Sequence, residues 1–119
     1  MRRDELRLRD VVAAADTLAE YLKGVRQEQF QSPGLLQDAI LRQLTVVGEA
    51  IYKVSRPLQS RHPNVPWLQV AGFRHRVIHD YFGLDLDAVW RIGTVEMPRL
   101  RSEILAVLAA EIAQDLLDV

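Results

Sequence analysis

The chain contains no cysteine, and this absence excludes several kinds of chemistry at once. Without thiols there is no disulfide framework, no cysteine nucleophile and no thiolate metal site. The apolar runs are far shorter than a membrane span, and the amino-terminal sequence MRRDE lacks the apolar stretch of a secretion signal. We therefore expect a cytoplasmic protein that has no contact with a membrane.

An excess of charge of either sign is also missing. The 15 basic and 16 acidic side chains give a formal net charge of −1. Bulk charge therefore does not favour nucleic acid as a partner, and any site for a polyanion must come from a local cluster. With 119 residues, of which 49% are hydrophobic, the chain is long enough to form one domain, 1–119, around its own core.

What is present is a helical spacing of apolar residues, at intervals of three and four, along most of the chain. The predicted helices are 6–25, 33–55, 66–83, a short helix that begins at Asp85 or Asp87 and runs to Ile92, and 98–117. Ser32 and Pro33 are a start signal for the second helix, and the prolines in 56–65 indicate a loop. Residues 26–31 are predicted to be a connection, and Gly93 and Pro98 a break. No stretch alternates like a strand, so the fold class is all-α, an up-and-down bundle of four to five helices.

Gly48 lies inside the second predicted helix, where glycine costs roughly 1 kcal/mol relative to alanine. We expect it there because another helix approaches closely. Glu49 beside it fits two roles, a buried partner for an arginine or an exposed side chain, and the sequence favours neither.

The most unusual stretch is 72–83, which places polar groups between apolar and aromatic ones. The polar members are Arg74, His75, Arg76, His79, Asp80 and Tyr81, and the apolar ones include Phe73, Val77, Ile78 and Phe82. Burying polar groups unpaired costs free energy, so we interpret this stretch as a helix with one buried face and one chemical face.

Arg74 and His79 cannot both point at one atom from a straight helix, because five residues separate them by about 140° around the axis. They can flank a cleft with their long side chains, converge through a distortion of the helix, or be completed by a second copy of the chain. We favour a twofold homodimer with the third helices side by side.

Arginine and histidine together suit metal-independent cleavage of RNA. Arginine binds phosphate with a fixed fork of donors, and histidine transfers protons near neutral pH. The 2′-hydroxyl of RNA serves as the nucleophile, so neither metal nor cofactor is expected. Further phosphate contacts are predicted from Arg56, Arg61, His62 and Arg76.

The spacing Arg74-x4-His79-x-Tyr81, preceded by Gly72-Phe73, closely resembles the HEPN superfamily and, within it, the HepT toxin branch. Further segments that resemble this branch are Gly48-Glu49-Ala50, Val65-Pro66-Trp67, Val89-Trp90 and Met97-Pro98-Arg99-Leu100. The resemblance therefore extends over nearly the whole chain, in the same order.

The resemblance implies a dimeric helical toxin whose Arg74 and His79 form the catalytic pair of a metal-independent endoribonuclease, in a composite site at the dimer cleft. It also implies a partner, an MntA-like nucleotidyltransferase antitoxin that uses ATP to attach AMP to Tyr81. The chain departs from the family at His75, where asparagine is common, and we expect His75 and Arg76 to be auxiliary substrate-binding residues. The alternative is a non-catalytic helical dimer that binds and positions a nucleotidyltransferase.

Overall fold

The computed structural model describes residues 2–79 and 83–118, with the backbone alone for residues 78 and 79. The elements of this part of the chain are all helical, which confirms the predicted fold class. They are α1 (Arg2–Leu22), α2 (Gln27–Gln31), α3 (Leu35–Tyr52), α4 (Arg56–Arg61), α5 (Trp67–His79), α6 (Leu86–Arg91) and α7 (Met97–Leu117), with a π-helical turn (Ile92–Glu96) between α6 and α7.

The four long helices, α1, α3, α5 and α7, form the bundle. Helix α3 is central because it packs against both α1 and α5, while α7 packs against α1. The largest fully buried side chains come from most of the elements and include Leu8, Leu18, Phe30, Ile40, Leu44, Ile51, Leu58, Met97 and Ile104. None of the described helices is both long and apolar enough to cross a membrane.

The predicted connection at 26–31 is wrong, because it contains α2. Phe30 is fully buried there, and its ring centroid lies 5.8 Å from that of Trp90. The predicted start of the next helix is wrong as well, since α3 begins at Leu35 with Gly34 as its N-cap. The hydroxyl of Ser32 donates instead to the carbonyl of Glu28 at 3.1 Å, so it satisfies the end of α2 rather than the start of α3.

The predicted loop at 56–65 is wrong over its first half, which forms α4. Proline is tolerated in the first turn of a helix, where Pro57 lies, because its missing N–H is not needed there. Leu58 is fully buried and attaches α4 to the core. The carboxylate of Asp4 accepts hydrogen bonds from the backbone N–H of Ser55 at 2.9 Å and from its hydroxyl at 2.6 Å.

The predicted break at Gly93 and Pro98 is also wrong, because the π-helical turn makes α6 and α7 continuous. Pro98 lies in the first turn of α7 and so does not interrupt it. Gly93 is buried, and a Cβ added there would lie 3.3 Å from the side chain of Leu22. The predicted cap at Asp85 is confirmed, since its carboxylate accepts a hydrogen bond from the Ala88 N–H at 3.1 Å.

Candidate active site

Helices α3 and α5 pack closely at Gly48, which has no side chain. A Cβ added to Gly48 would lie 2.7 Å from the backbone nitrogen of Arg74 and 3.2 Å from the carbonyl oxygen of Val70. Real Cβ atoms do not approach backbone atoms this closely, so glycine lets the two helices meet. The expectation of a close helix approach at Gly48 is confirmed, and the helix that approaches is the one that carries Arg74.

The Arg74 guanidinium lies against α3 in two contacts. Its Nη1 donates to Oε2 of Glu49 at 3.2 Å, and its central carbon lies 4.6 Å from the centroid of the Tyr52 ring. The other Glu49 oxygen, Oε1, is 3.6 Å from Nζ of Lys53. Of the two roles open to Glu49, the structure therefore gives it that of an arginine partner, although its side chain is 42% exposed rather than buried.

These two contacts restrict the conformations that the Arg74 side chain can adopt. Glu49 supplies charge and a hydrogen-bond acceptor, and Tyr52 supplies the negative face of an aromatic ring. The Arg74 side chain is still 36% exposed, so part of the fork is open to solvent. Tyr52 was not predicted as part of the site. Its position one helical turn after Gly48, on the same side of α3, is the signal that points to it.

The two residues after Arg74 are placed differently from it. His75 and Arg76 are both exposed. Arg76 lines a cavity of about 440 Å³ between α5, α6 and α7, whereas Arg74 lies against α3. The structure therefore does not bring Arg74 and Arg76 into one pocket.

The remaining predicted site residues lie outside the described side chains. His79 is described as the last backbone position of α5, and Tyr81 lies in the stretch 80–82, outside the described residues. The joining of Arg74 and His79 thus stays a prediction. In the part of the chain that the structure describes, no group of three or more histidine, aspartate or glutamate side chains could hold a metal ion.

The prediction that Arg61 and His62 bind phosphate is not supported, because both bind Glu111 of α7. Arg61 donates to Glu111 through Nη2 and, at 3.2 Å, through Nε, and Nε2 of His62 lies 2.8 Å from Oε2. The hydrogen bonds from Arg61 lower the pKa of Glu111 from 4.5 to about 2, with a further contribution from His62 and against the effect of burial. Glu111 stands in the apolar row of α7, and that position is the sequence signal for it.

A groove of about 630 Å³ adjoins the Arg74–Glu49 pair. It lies between α1, α3 and α5, and Glu49 and Val77 form part of its lining. Its other charged residues are Arg7, Asp10, Asp38 and Arg42. Two arginines thus stand against three carboxylates, so this groove has no excess of positive charge.

The structure is that of an all-α protein with a partly exposed arginine where α3 and α5 cross. Comparison with known proteins identifies its family. The chain belongs to the family described as "Ribonuclease HepT-like", whose model matches residues 12–107.

Three curated relatives are similar over most of the chain. A protein of Caldanaerobacter subterraneus named as a "Putative RNase" is 31% identical over 87% of this chain and 93% of its own length. A "Putative RNase" of Methanocaldococcus jannaschii is 31% identical, covering 81% of this chain and 83% of its own. A "Probable ribonuclease HepT" of Thermococcus cleftensis is 29% identical, covering 81% and 87%. No solved structure matches the chain significantly.

Proposed function

We propose that this protein is a metal-independent endoribonuclease with Arg74 and His79 as its catalytic pair. The observation that carries the proposal is the Arg74 guanidinium, which Glu49 and Tyr52 hold in place while over a third of its side chain stays open to solvent. A fixed, partly exposed fork of donors suits the phosphate that gains negative charge during cleavage. Membership of the HepT-like family supports the assignment.

The proposed reaction needs only groups that RNA and this chain supply. The 2′-oxygen of RNA attacks the adjacent phosphorus, and the bond from phosphorus to the 5′-oxygen breaks, which leaves a 2′,3′-cyclic phosphate. One imidazole takes the proton of the 2′-hydroxyl, and a proton is given to the departing 5′-oxygen. Arg74 stabilises the charge on the phosphate oxygens between these transfers.

A twofold homodimer is part of the proposal. The helical spacing separates Arg74 and His79 by about 140°, so a straight helix in one chain would not direct both at the same atom. Across a symmetry axis, Arg74 of one chain and His79 of the other can flank the same phosphate, and the imidazole that takes the first proton can give it to the departing 5′-oxygen. Mass measurement in solution, followed by mixing of inactive Arg74→Ala and His79→Ala chains, tests this. Activity regained on mixing supports a shared site, and inactivity of well-formed mixed dimers contradicts it.

We further propose that the ribonuclease is a toxin, active in the cytoplasm and silenced by a nucleotidyltransferase antitoxin. The Tyr81 hydroxyl would attack the α-phosphorus of ATP and release pyrophosphate, which leaves AMP on the tyrosine. The added negative phosphate would compete with RNA for Arg74, since a spacing of seven residues would place the two in nearly the same row of a helix.

Induced expression tests the toxin. We expect growth arrest by the native chain and by Arg3→Ala, a charge-matched control on α1, and none by Arg74→Ala. Growth arrest that persists with Arg74→Ala contradicts the proposed site. Absence of arrest and of RNA cleavage with the native chain, together with partner binding, would support the non-catalytic dimer instead.

The mass of the intact protein tests the modification. Incubation with ATP and a nucleotidyltransferase of the proposed antitoxin type is expected to add one AMP per native chain and none to Tyr81→Phe, and to stop RNA cleavage. An unchanged mass of the native chain would contradict this regulation.

A further inference from the structure

A second side of α5 carries two cavities that the Arg74 contacts do not use. One, of about 630 Å³, lies between α4 and the start of α5, and the other, of about 440 Å³, lies between α5, α6 and α7. Pro66 and Gln69 line both cavities, so the two lie next to each other. We call these two adjacent cavities together the α4–α7 furrow. Each half is within the size range of pockets that hold small organic ligands.

Arginines stand along this furrow. Arg56 lines one half, and Arg76 and Arg91 line the other. Arg56 and Arg76 are exposed, and neither has an ion-pair partner in the described ranges 2–79 and 83–118. Arg91 is 74% exposed, and its Nε lies 3.6 Å from a Glu96 oxygen, longer than a hydrogen bond. Exposed pairs of this kind hold the arginine weakly, so all three guanidinium groups are accessible to an anion.

The walls between these arginines are largely apolar. Val70, Phe73, Met97 and Leu100 line the α6–α7 half, and Trp67 lines the α4 half. The indole N–H of Trp67 is already donated to the His62 carbonyl at 2.8 Å, so it is not free to bind a ligand in the furrow. Guanidinium groups at spaced positions along apolar walls suit a chain of alternating phosphates and flat bases.

We propose that the α4–α7 furrow binds single-stranded RNA, with phosphates at Arg56, Arg76 and Arg91 and bases against the apolar walls. This rests on the proposed function, because the ribonuclease substrate supplies the polyanion. Arg76 is about 200° around the axis from Arg74, so the furrow lies on the other side of α5. Its arginines therefore hold the strand and do not contact the phosphate that is cleaved.

Charge distinguishes this furrow from the groove beside Glu49. The furrow has three arginines against Glu96 and Glu103, whereas the groove has Arg7 and Arg42 against three carboxylates. A polyanion is repelled by an excess of carboxylates, so the furrow is the more favourable of the two for RNA. The groove arginines therefore provide a matched control.

The test is binding of a short labelled RNA that carries 2′-fluoro groups in place of its 2′-hydroxyls, so that it cannot be cleaved. We expect Arg56→Ala and Arg76→Ala each to raise the Kd about fivefold to tenfold. Each lost phosphate contact should also reduce the slope of log Kd against log salt by about 0.7. All the substituted side chains are partly or fully exposed, and unchanged thermal unfolding checks that the variants fold.

The controls are Arg3→Ala and the pair Arg7→Ala and Arg42→Ala, for which we expect the native Kd and salt slope. The proposed RNA-binding role of the furrow is ruled out by any of three results. These are a native Kd for the Arg56→Ala, Arg76→Ala double variant, no binding of the RNA by the native chain, or a greater loss of affinity from Arg7→Ala and Arg42→Ala.

Cleavage of unmodified RNA, measured in parallel, separates the two proposals. If the native chain cleaves RNA and the furrow variants bind it normally, the furrow proposal fails and the ribonuclease stands. If the furrow variants lose affinity but the native chain cleaves nothing, the furrow stands as a binding site and the catalytic proposal fails.

Discussion

The backbone nitrogen of Arg74 lies 2.7 Å from the point where a Cβ on Gly48 would be. This relationship fixes how closely α5 packs on α3. It also places Cβ of Arg74 3.2 Å from the same point on Gly48, one turn of α3 before Tyr52. The absence of one methyl group on α3 thus sets the position of the candidate catalytic arginine on α5.

Gly48→Ala is expected to destabilise the fold. Forcing the two backbones apart costs about 1–3 kcal/mol, against a gain of roughly 1 kcal/mol from the better helix propensity of alanine. We expect a net loss of up to about 2 kcal/mol in the free energy of unfolding, measured by urea titration.

Gly72→Ala on α5 is the matched control, since a Cβ there meets no atom within 4 Å. Its propensity gain should stabilise the protein by up to about 1 kcal/mol. Equal stability of the two variants would show that Gly48 is not needed for the helix crossing.

Glu49→Ala is expected to lower kcat for RNA cleavage about threefold to fivefold, because Arg74 loses a partly exposed ion pair worth up to about 1 kcal/mol. The effect should fall on kcat rather than KM if Glu49 positions a group that acts in the transition state. Glu49→Gln, which keeps an acceptor oxygen, should recover part of the rate.

Lys53→Ala removes the other ion-pair partner of Glu49, which lies at 3.6 Å, and should change the rate little. A rise in cleavage on loss of Glu49 would mean that this carboxylate competes with RNA for the guanidinium, and would refute its positioning role.

Tyr52→Leu removes the ring beneath the Arg74 guanidinium, whereas Tyr52→Phe keeps it. An exposed cation–π contact is worth about 0.5–1 kcal/mol, so we expect a twofold to fivefold lower kcat for leucine and a near-native kcat for phenylalanine. Equal kcat values for the two variants would exclude a role for the ring.

Glu111 makes stability depend on pH. Its folded-state pKa of about 2 lies below the ordinary 4.5, so its stabilising effect is complete above 4.5 and is lost as pH falls toward 2. Glu111→Gln should lower the free energy of unfolding at neutral pH by about 2 kcal/mol, since a charged hydrogen-bond network is weakened.

When urea unfolding is repeated at about pH 3, the difference in free energy of unfolding between the native and Glu111→Gln proteins should be smaller than at neutral pH. Glu20→Gln, an exposed change on α1, is the control and should match the native curve. A gap that is the same at both pH values would show that the charge on Glu111 does not stabilise the fold.

Much of the fold could be predicted because the long helices carry regular apolar rows, and the motif spacing around Arg74 indicated the family. The short helices α2 and α4 could not be predicted from the sequence. Each is held by one buried side chain, Phe30 or Leu58, whose contacts form only when the other helices have packed. Prolines at 57 and 98 looked like breaks but stand in first turns, where proline is tolerated.

The site was predicted less completely than the fold. Gly48 and the candidate partner Glu49 came from the sequence, because a glycine inside a helix signals close approach. Tyr52 and Glu111 did not, because their roles depend on which residue of another helix lies opposite. Arg61 and His62 look like phosphate ligands in the sequence, yet both bind Glu111.

Cleavage of a defined RNA in the presence of a chelator, by native, Arg74→Ala, His79→Ala and Arg3→Ala proteins, tests the central claim most directly. We predict cleavage to 2′,3′-cyclic phosphate ends by the native and Arg3→Ala chains, and loss of at least about a hundredfold in rate for the other two. Native-like cleavage by a folded Arg74→Ala or His79→Ala protein, or cleavage that stops when metal is removed, would contradict the account.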